Sequence, residues 1–221
     1  LLLSSLDLSR RNLALRGMES FAKVITMAEY ARNEINSIGG YYAYGKELID
    51  GKNVYDFDVT KLCVYTKDIG LTGIEIYDLL RDEYDIQIEF GDIGNIMAYI
   101  SIGDRLQDIE RLVGALEDIK RLYAREKSGL AFVDAVIPKV VSSPQYSFYA
   151  EKESVPIKES YGRVAGESVM AYPPGIPILA PGELITKDIV DHILYAKEKG
   201  CSLQGTADPE VKRLEVRSEE R

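Results

Sequence analysis

From Leu1 to Ile38 apolar residues return at helical spacing, with Met18, Phe21, Ile25, Ala28, Ala31 or Arg32, Ile35 and Ile38 three or four positions apart. That period predicts helix with one stripe docked on another layer, and it puts Arg32 and Glu34 on a wetter face. Gly17 is expected to divide or bend the helix. Gly39-Gly40 should stop it, because glycine takes the left-handed backbone past a helix end at little cost.

Beyond Gly40 the pattern alternates between periods of two and of 3.6. Residues 40–49 form a candidate edge strand, and 61–65 alternate as a strand does. Residues 71–84 read as a helix with Leu71, Ile74, Tyr77 and Leu80 on one face, and Thr72 and Glu75 stand at capping-box spacing. Residues 86–90 and 96–102 are the next strands, joined by the turn residues Gly91-Asp92-Ile93-Gly94-Asn95. Asp104 and Gln107 then open a helix through Leu106, Ile109, Leu112, Val113, Leu116, Ile119 and Tyr123. The order β-α-β-β-α predicts an α/β (α+β) fold, a ferredoxin-like small domain with helices packed on a mainly antiparallel sheet.

After Arg125-Glu126-Lys127-Ser128-Gly129 the texture changes, and prolines at 138, 144 and 156 mark a loop-rich stretch. The predicted boundaries are 1–38, 39–128 and 129–221. Within the last, Thr186 caps a helix to Lys199, residues 211–216 form a last strand, and the charged tail 217–221 frays.

A net charge of −9 and a pI near 4.8 argue against nucleic acid as a partner and mildly favour a cationic substrate. Cys63 and Cys201 lie far apart without metal-ligand spacing, so neither a zinc site nor a disulfide framework is expected, and a reducing cytoplasm is the natural setting. No apolar run reaches the roughly 20 residues that span a bilayer, so no membrane partner is expected. His192, the single histidine, sits in the predicted helix after Thr186 without a nucleophile or an orienting partner. Asp92 and Asp104 read as turn residues, and Tyr41, Tyr42 and Tyr44 with Tyr146 and Tyr149 fit either a subunit interface or a half-buried edge.

The densest signal is Tyr172-Pro173-Pro174-Gly175-Ile176-Pro177-Ile178-Leu179-Ala180-Pro181-Gly182-Glu183. Proline fixes φ and biases its predecessor toward extended backbone, so this segment is no helix but a stiff extended loop with corners at Pro174-Gly175 and Pro181-Gly182. Rigidity alone explains such a corner. The flanks add a chemical reading, because Glu167, Tyr172 and Glu183 place two carboxylates and a phenol around it, suited to a ligand ammonium or guanidinium. Glu167, Tyr172, Pro174, Gly175 and Glu183 are therefore the candidate substrate-binding residues.

The same string closely resembles a signature near the C-terminus of the bacterial ornithine/lysine/arginine decarboxylases. Leu1-Leu2-Leu3-Ser4-Ser5-Leu6-Asp7 is similar to that family's segment just past the cofactor-bearing lysine. Glu89-Phe90-Gly91-Asp92, Ile102-Gly103-Asp104 and the terminal Gln204-Gly205 resemble further markers. The resemblance implies a fold type I enzyme that uses pyridoxal 5'-phosphate to decarboxylate arginine, lysine or ornithine to agmatine, cadaverine or putrescine in polyamine metabolism. It also implies a cytoplasmic homodimer or larger assembly. On this reading residues 1–38 are the helical tail of a large cofactor domain, 39–128 the small domain and 129–221 the decarboxylase extension. The leucine-rich start in mid-pattern suits a piece of something longer. The family's Ser-x-His-Lys string is absent, and Lys61, Lys139 and Lys187 lack its context, so the piece alone is expected to be inactive and to hold no covalent cofactor. A rival reading is a non-catalytic amino-acid-sensing or oligomerisation module of the ACT type, which fits residues 61–123 but leaves the proline string unexplained.

Overall fold

The computed structural model describes residues 1–126, 136–172 and 174–218, so the expected boundary at 128, Pro173 and the last three residues of the tail lie outside it. The chain divides into two compact units, 1–130 and 131–221.

The first unit begins with one unbroken helix, α1 (Leu2–Ile38), which runs straight through Gly17. A single interior glycine costs only about 1 kcal/mol, too little to end so long a helix. Gly39 (φ 73°) stops it as expected. The docked stripe is shorter than the periodicity suggests: Val24, Ala28, Ala31, Arg32 and Ile35 are buried, while Met18, Phe21 and Ile25 are exposed. Arg32 is not on the wet face. Its guanidinium donates to the carbonyls of Tyr44 (2.7 Å), Lys61 (2.7 Å) and Ala28 (3.2 Å), so each of its three nitrogens has a partner.

The helix packs on a four-stranded antiparallel sheet of order β1-β2-β4-β3, formed by β1 (Tyr42–Ala43), β2 (Lys61–Tyr65), β3 (Phe90–Gly91) and β4 (Asn95–Tyr99). Two more helices, α2 (Gly73–Asp82) and α3 (Leu106–Tyr123), complete the layer. The expected strand over 86–90 shrinks to β3. Asp85 takes φ 53°, and the Ile86 N–H bonds back to Leu80 C=O, so the chain is still closing off α2 where a strand was anticipated. The capping box is present: Thr72 Oγ1 accepts from Glu75 N (3.1 Å) and Glu75 Oε2 from Thr72 N (2.8 Å). Helix α3 starts one residue later than read, at Leu106. Asp108 there accepts the Arg105 N–H, and Asp104 is spent on Ser101 N–H instead.

Glycine is required where α2 meets the sheet. A Cβ on Gly91 would lie 2.1 Å from Gly73 O, and one on Gly73 would lie 1.8 Å from Asn95 O. Asp92 Oδ1 accepts the Gly94 and Asn95 N–H groups at 2.7 Å, the turn role foreseen for it.

The second unit carries more regular structure than its prolines suggested. Pro144 is the first residue of α4 (Pro144–Tyr149), where its missing N–H costs nothing, and Pro156 closes β5 (Lys152–Pro156). Strand β5 pairs with β9 (Arg213–Arg217), and a three-stranded sheet of order β7-β6-β8 contains β6 (Val169–Tyr172), β7 (Ile176–Leu179) and β8 (Ser202–Gln204). Helix α5 (Lys187–Glu198), capped by Thr186 as predicted, adds Ile189, Val190 and Ile193 to the core. The chain is thus mixed helix and antiparallel sheet.

Candidate functional site

The proline string is a β-hairpin, not an extended loop. Strands β6 and β7 pair with Ala171 opposite Ile176 and Val169 opposite Leu179, and Gly175 N–H closes the tip onto Ala171 C=O at 2.9 Å. Pro177 is compatible because β7 is the sheet's edge, where a missing N–H breaks no ladder bond. Gly175 takes φ 96°, open only to glycine at little cost. At the tip Tyr172 and Pro174 are exposed, with Ile176 beside them.

The second corner is an anchored turn. Gly182 (φ 90°) accepts the Val141 and Ser142 N–H groups, and a Cβ on it would lie 2.3 Å from Ser142 O. Glu183 ties this turn with its own side chain, Oε2 accepting the Ala180 N–H at 2.7 Å. Glu167 lies below the hairpin, 6% exposed, with Oε2 on Ala207 N–H (2.7 Å) and Oε1 on Glu215 N–H (2.8 Å). Burial pushes its carboxyl above the ordinary range against the pull of those two N–H groups. The five predicted residues therefore divide: Tyr172, Pro174 and Gly175 form an exposed tip, whereas Glu167 and Glu183 bind backbone.

The other candidates have structural surroundings. His192 is half-buried on α5, and burial lowers its pKa. The Cys63 thiol is raised by burial in β2, and neither cysteine forms a disulfide. Tyr41 is a core residue whose hydroxyl donates to Leu116 C=O (2.9 Å), while Tyr42 is exposed. Lys61 lies over the Tyr99 ring at 3.7 Å, Lys187 pairs with Asp191 at 3.1 Å, and Lys139 is exposed. All three lysines are exposed, so none of them is set in an enclosed cofactor pocket.

A cavity of about 460 Å³ in the first unit is rimmed by Asp85, Glu89, Tyr99, Asp104, Asp108 and Arg111. Sequence reading missed it because Asp85 and Glu89, before β4, and Asp104 and Asp108, at the start of α3, share no period or motif and meet only through the fold. Among the described residues no group of His, Cys, Asp and Glu is arranged to hold a metal ion, and no helix is long and apolar enough to cross a membrane.

Residues 131–218, which contain the hairpin, both corners and the Glu167 clamp, match the C-terminal domain of the Orn/Lys/Arg decarboxylases. The chain belongs to the Orn/Lys/Arg decarboxylase family. The likeness extends beyond that domain. An arginine decarboxylase of Halalkalibacterium halodurans is 39% identical over 219 residues, 98% of this chain and 45% of that protein. One from Bacillus subtilis is 35% identical over 224 residues, 100% of this chain and 46% of that protein. The chain thus spans somewhat under half the length of these relatives. A Francisella novicida lysine decarboxylase structure matches 91% of this chain and 40% of its own with a TM-score of 0.69 at 18% identity, a likeness of fold. Membership in this family does not favour the regulatory-module reading.

Proposed function

We propose that this chain acts as the C-terminal portion of a pyridoxal phosphate-dependent basic amino acid decarboxylase, with arginine the first substrate to test and lysine and ornithine next. The observation that carries the reading is its 35–39% identity, over essentially its whole length, to proteins named arginine decarboxylase. The cofactor, when bound, supplies the electron sink for loss of carbon dioxide, and its lysine and phosphate cradle belong to the cofactor domain of the complete enzyme. This chain contributes a ferredoxin-like small domain and the hairpin unit.

Within that assembly the hairpin tip meets the substrate. Tyr172 and Pro174 give a rigid, partly apolar surface and the Gly175 turn holds it; Glu183 stands apart from them in the second corner beyond β7, where the oxygen not committed to Ala180 N–H is the one offered to a substrate cation. Glu167 acts from below as a positioning residue, because both its oxygens are engaged. The exposed leucines of α1, Leu2, Leu3, Leu6 and Leu15, suit coverage by the cofactor domain in an oligomer.

The test is amine formation and carbon dioxide release from arginine, lysine and ornithine by the protein purified from its own source, with Glu183→Gln and Tyr172→Phe variants of the same enzyme. Agmatine formation is expected, with KM raised at least several-fold in Glu183→Gln. Absence of any amine product removes the proposal. Unchanged KM in Tyr172→Phe removes the role given to the tip, and unchanged KM in Glu183→Gln removes the role given to the second corner.

A further inference from the structure

The terminal Gln204-Gly205 motif leads into a segment that the proposed function leaves unused. Gly205 takes φ 92°, and a Cβ there would lie 2.9 Å from both Ser168 O and Met170 Cε, so the chain leaves β8 through a position closed to other residues. Six residues on, Val211 takes φ 48° although it is β-branched and 2% exposed. This backbone region is sterically costly for such a side chain and persists only where surrounding bonds over-determine it.

Those bonds converge on one carboxylate. Asp208 Oδ1 accepts the Glu210 N–H (3.0 Å), and Oδ2 accepts the Lys212 (2.9 Å) and Arg213 (3.0 Å) N–H groups. The Val211 N–H turns back to Asp208 C=O at 2.9 Å, and Thr206 Oγ1 donates to the same carbonyl. Outside the segment, Glu167 holds the Ala207 N–H and Lys197 of α5 donates to Glu210 C=O.

We infer that residues 205–213 are a sprung clasp, in which the Asp208 carboxylate holds Val211 in its strained backbone and the segment opens as a local unit when that hold is lost. Opening relaxes Val211 and frees the Ala207 N–H from Glu167, while the β5–β9 ladder beyond Arg213 is kept by its own pairing, Val155 with Leu214 and Glu153 with Val216.

The charge environment fits a clasp that is shut at neutral pH. Desolvation raises the Asp208 carboxyl, but the N–H groups of Glu210, Lys212 and Arg213 and the Lys212 charge outweigh it, leaving the group below its ordinary 3.8. The other charges around it are Glu210 and Arg213 of the segment, Glu167 from before β6, Glu215 from β9 and Lys197 from α5. A depressed carboxyl contributes stability above its unfolded value that is lost as pH falls through the folded one, so closure is complete at neutral pH and lost only in strong acid.

Residue-resolved amide hydrogen exchange at neutral pH tests both halves of the inference. In Asp208→Ala the Ala207, Glu210, Lys212 and Arg213 amides should exchange at least tenfold faster, with the Val155 and Val216 amides unchanged and Asp208→Asn between variant and wild type. Unchanged exchange at those four amides overturns the clasp, and so does equal acceleration across β5 and β9. The strain is tested by comparing Val211→Gly with Val211→Ala, which both lose the buried side chain. Exchange in the segment should be about tenfold slower with glycine, the reverse of the ordinary order; equal or faster exchange with glycine overturns the spring.

Discussion

The two units reach stability by different means. In the first, helices of 37, 10 and 18 residues lay apolar stripes on a four-stranded sheet, and Leu80, Ile96, Leu116 and Ile119 are almost wholly buried among them. Carboxylates accept backbone N–H groups in both units, but in the first their partners lie within four residues, as at Asp50, Asp92 and Asp108, whereas in the second Glu167 reaches Ala207 and Glu215, 40 and 48 residues along the chain. There a buried acidic side chain ties together segments that no ladder joins. Only the first kind of construction leaves a periodic trace in the sequence.

The comparison predicts that the first unit is most sensitive to lost volume. Leu80→Ala should lower its unfolding free energy by about 3–5 kcal/mol, since a buried leucine loses both transfer energy and packing. Urea denaturation followed by tyrosine fluorescence reads this. A loss below that of the polar variants described next would mean that the unit does not depend chiefly on its apolar core.

Arg32 is the first unit's exception, a buried cation serving backbone carbonyls. Arg32→Met keeps most of the apolar stem but leaves the Tyr44 and Lys61 carbonyls without their donor, for an expected loss of about 2–3 kcal/mol. Arg32→Lys should recover only part of it, because one ammonium does not reproduce the guanidinium fork.

Glu167 gives the corresponding test in the second unit. Gln in its place retains one acceptor and turns an amide NH2 toward the other backbone N–H, costing about 1–2 kcal/mol at neutral pH. The pH dependence separates this from a packing effect. Burial raises the Glu167 carboxyl in the folded protein, so there the folded state binds a proton more tightly than the unfolded chain. Its contribution to stability therefore falls as pH rises from the ordinary 4.5 through the raised value, and is flat above it. In Glu167→Gln that slope should be absent. An identical slope in the variant would assign it to another group.

Legibility in the sequence follows the same division. Residues 61–65 and the helices over 73–82, 106–123 and 187–198 were readable from their periods, and the caps agree as well at Thr72 and Thr186, whereas the start read at Asp104 falls at Arg105. Burial of Arg32 was not, since periodicity places a residue on a face without saying whether backbone carbonyls wait there. The proline string was readable as rigid and turned. Its pairing was not, because the hairpin joins two four-residue strands, β6 and β7, each too short to show a clear alternation. Glu167 and Glu183 were noticed as carboxylates near a corner, yet the Glu167 bonds to Ala207 and Glu215 N–H depend on how distant segments return, which no local pattern records, and the Glu183 bond to Ala180 N–H is a turn bond three residues apart.

The smallest expected effect sharpens the comparison, because one device occurs in both units. Thr72 caps α2 and Thr186 caps α5, and the two caps differ in how completely they close. Thr72 is 3% exposed, receives the Glu75 N–H at 3.1 Å and gives its own N–H to the Glu75 carboxylate, which also meets the Arg125 guanidinium. Thr186 accepts the Ile189 N–H at 3.4 Å, and isoleucine at that third helical position has no group to return the bond. Replacing Thr72 by Ala should therefore cost about 1–2 kcal/mol, the upper part of the range for caps, and Thr186→Ala about 0.5 kcal/mol. Thr72→Ser, which keeps the hydroxyl, should recover most of the first loss. If the two alanine variants cost the same, reciprocity in the capping box adds nothing measurable; if Thr72→Ser costs as much as Thr72→Ala, the loss belongs to the buried methyl group.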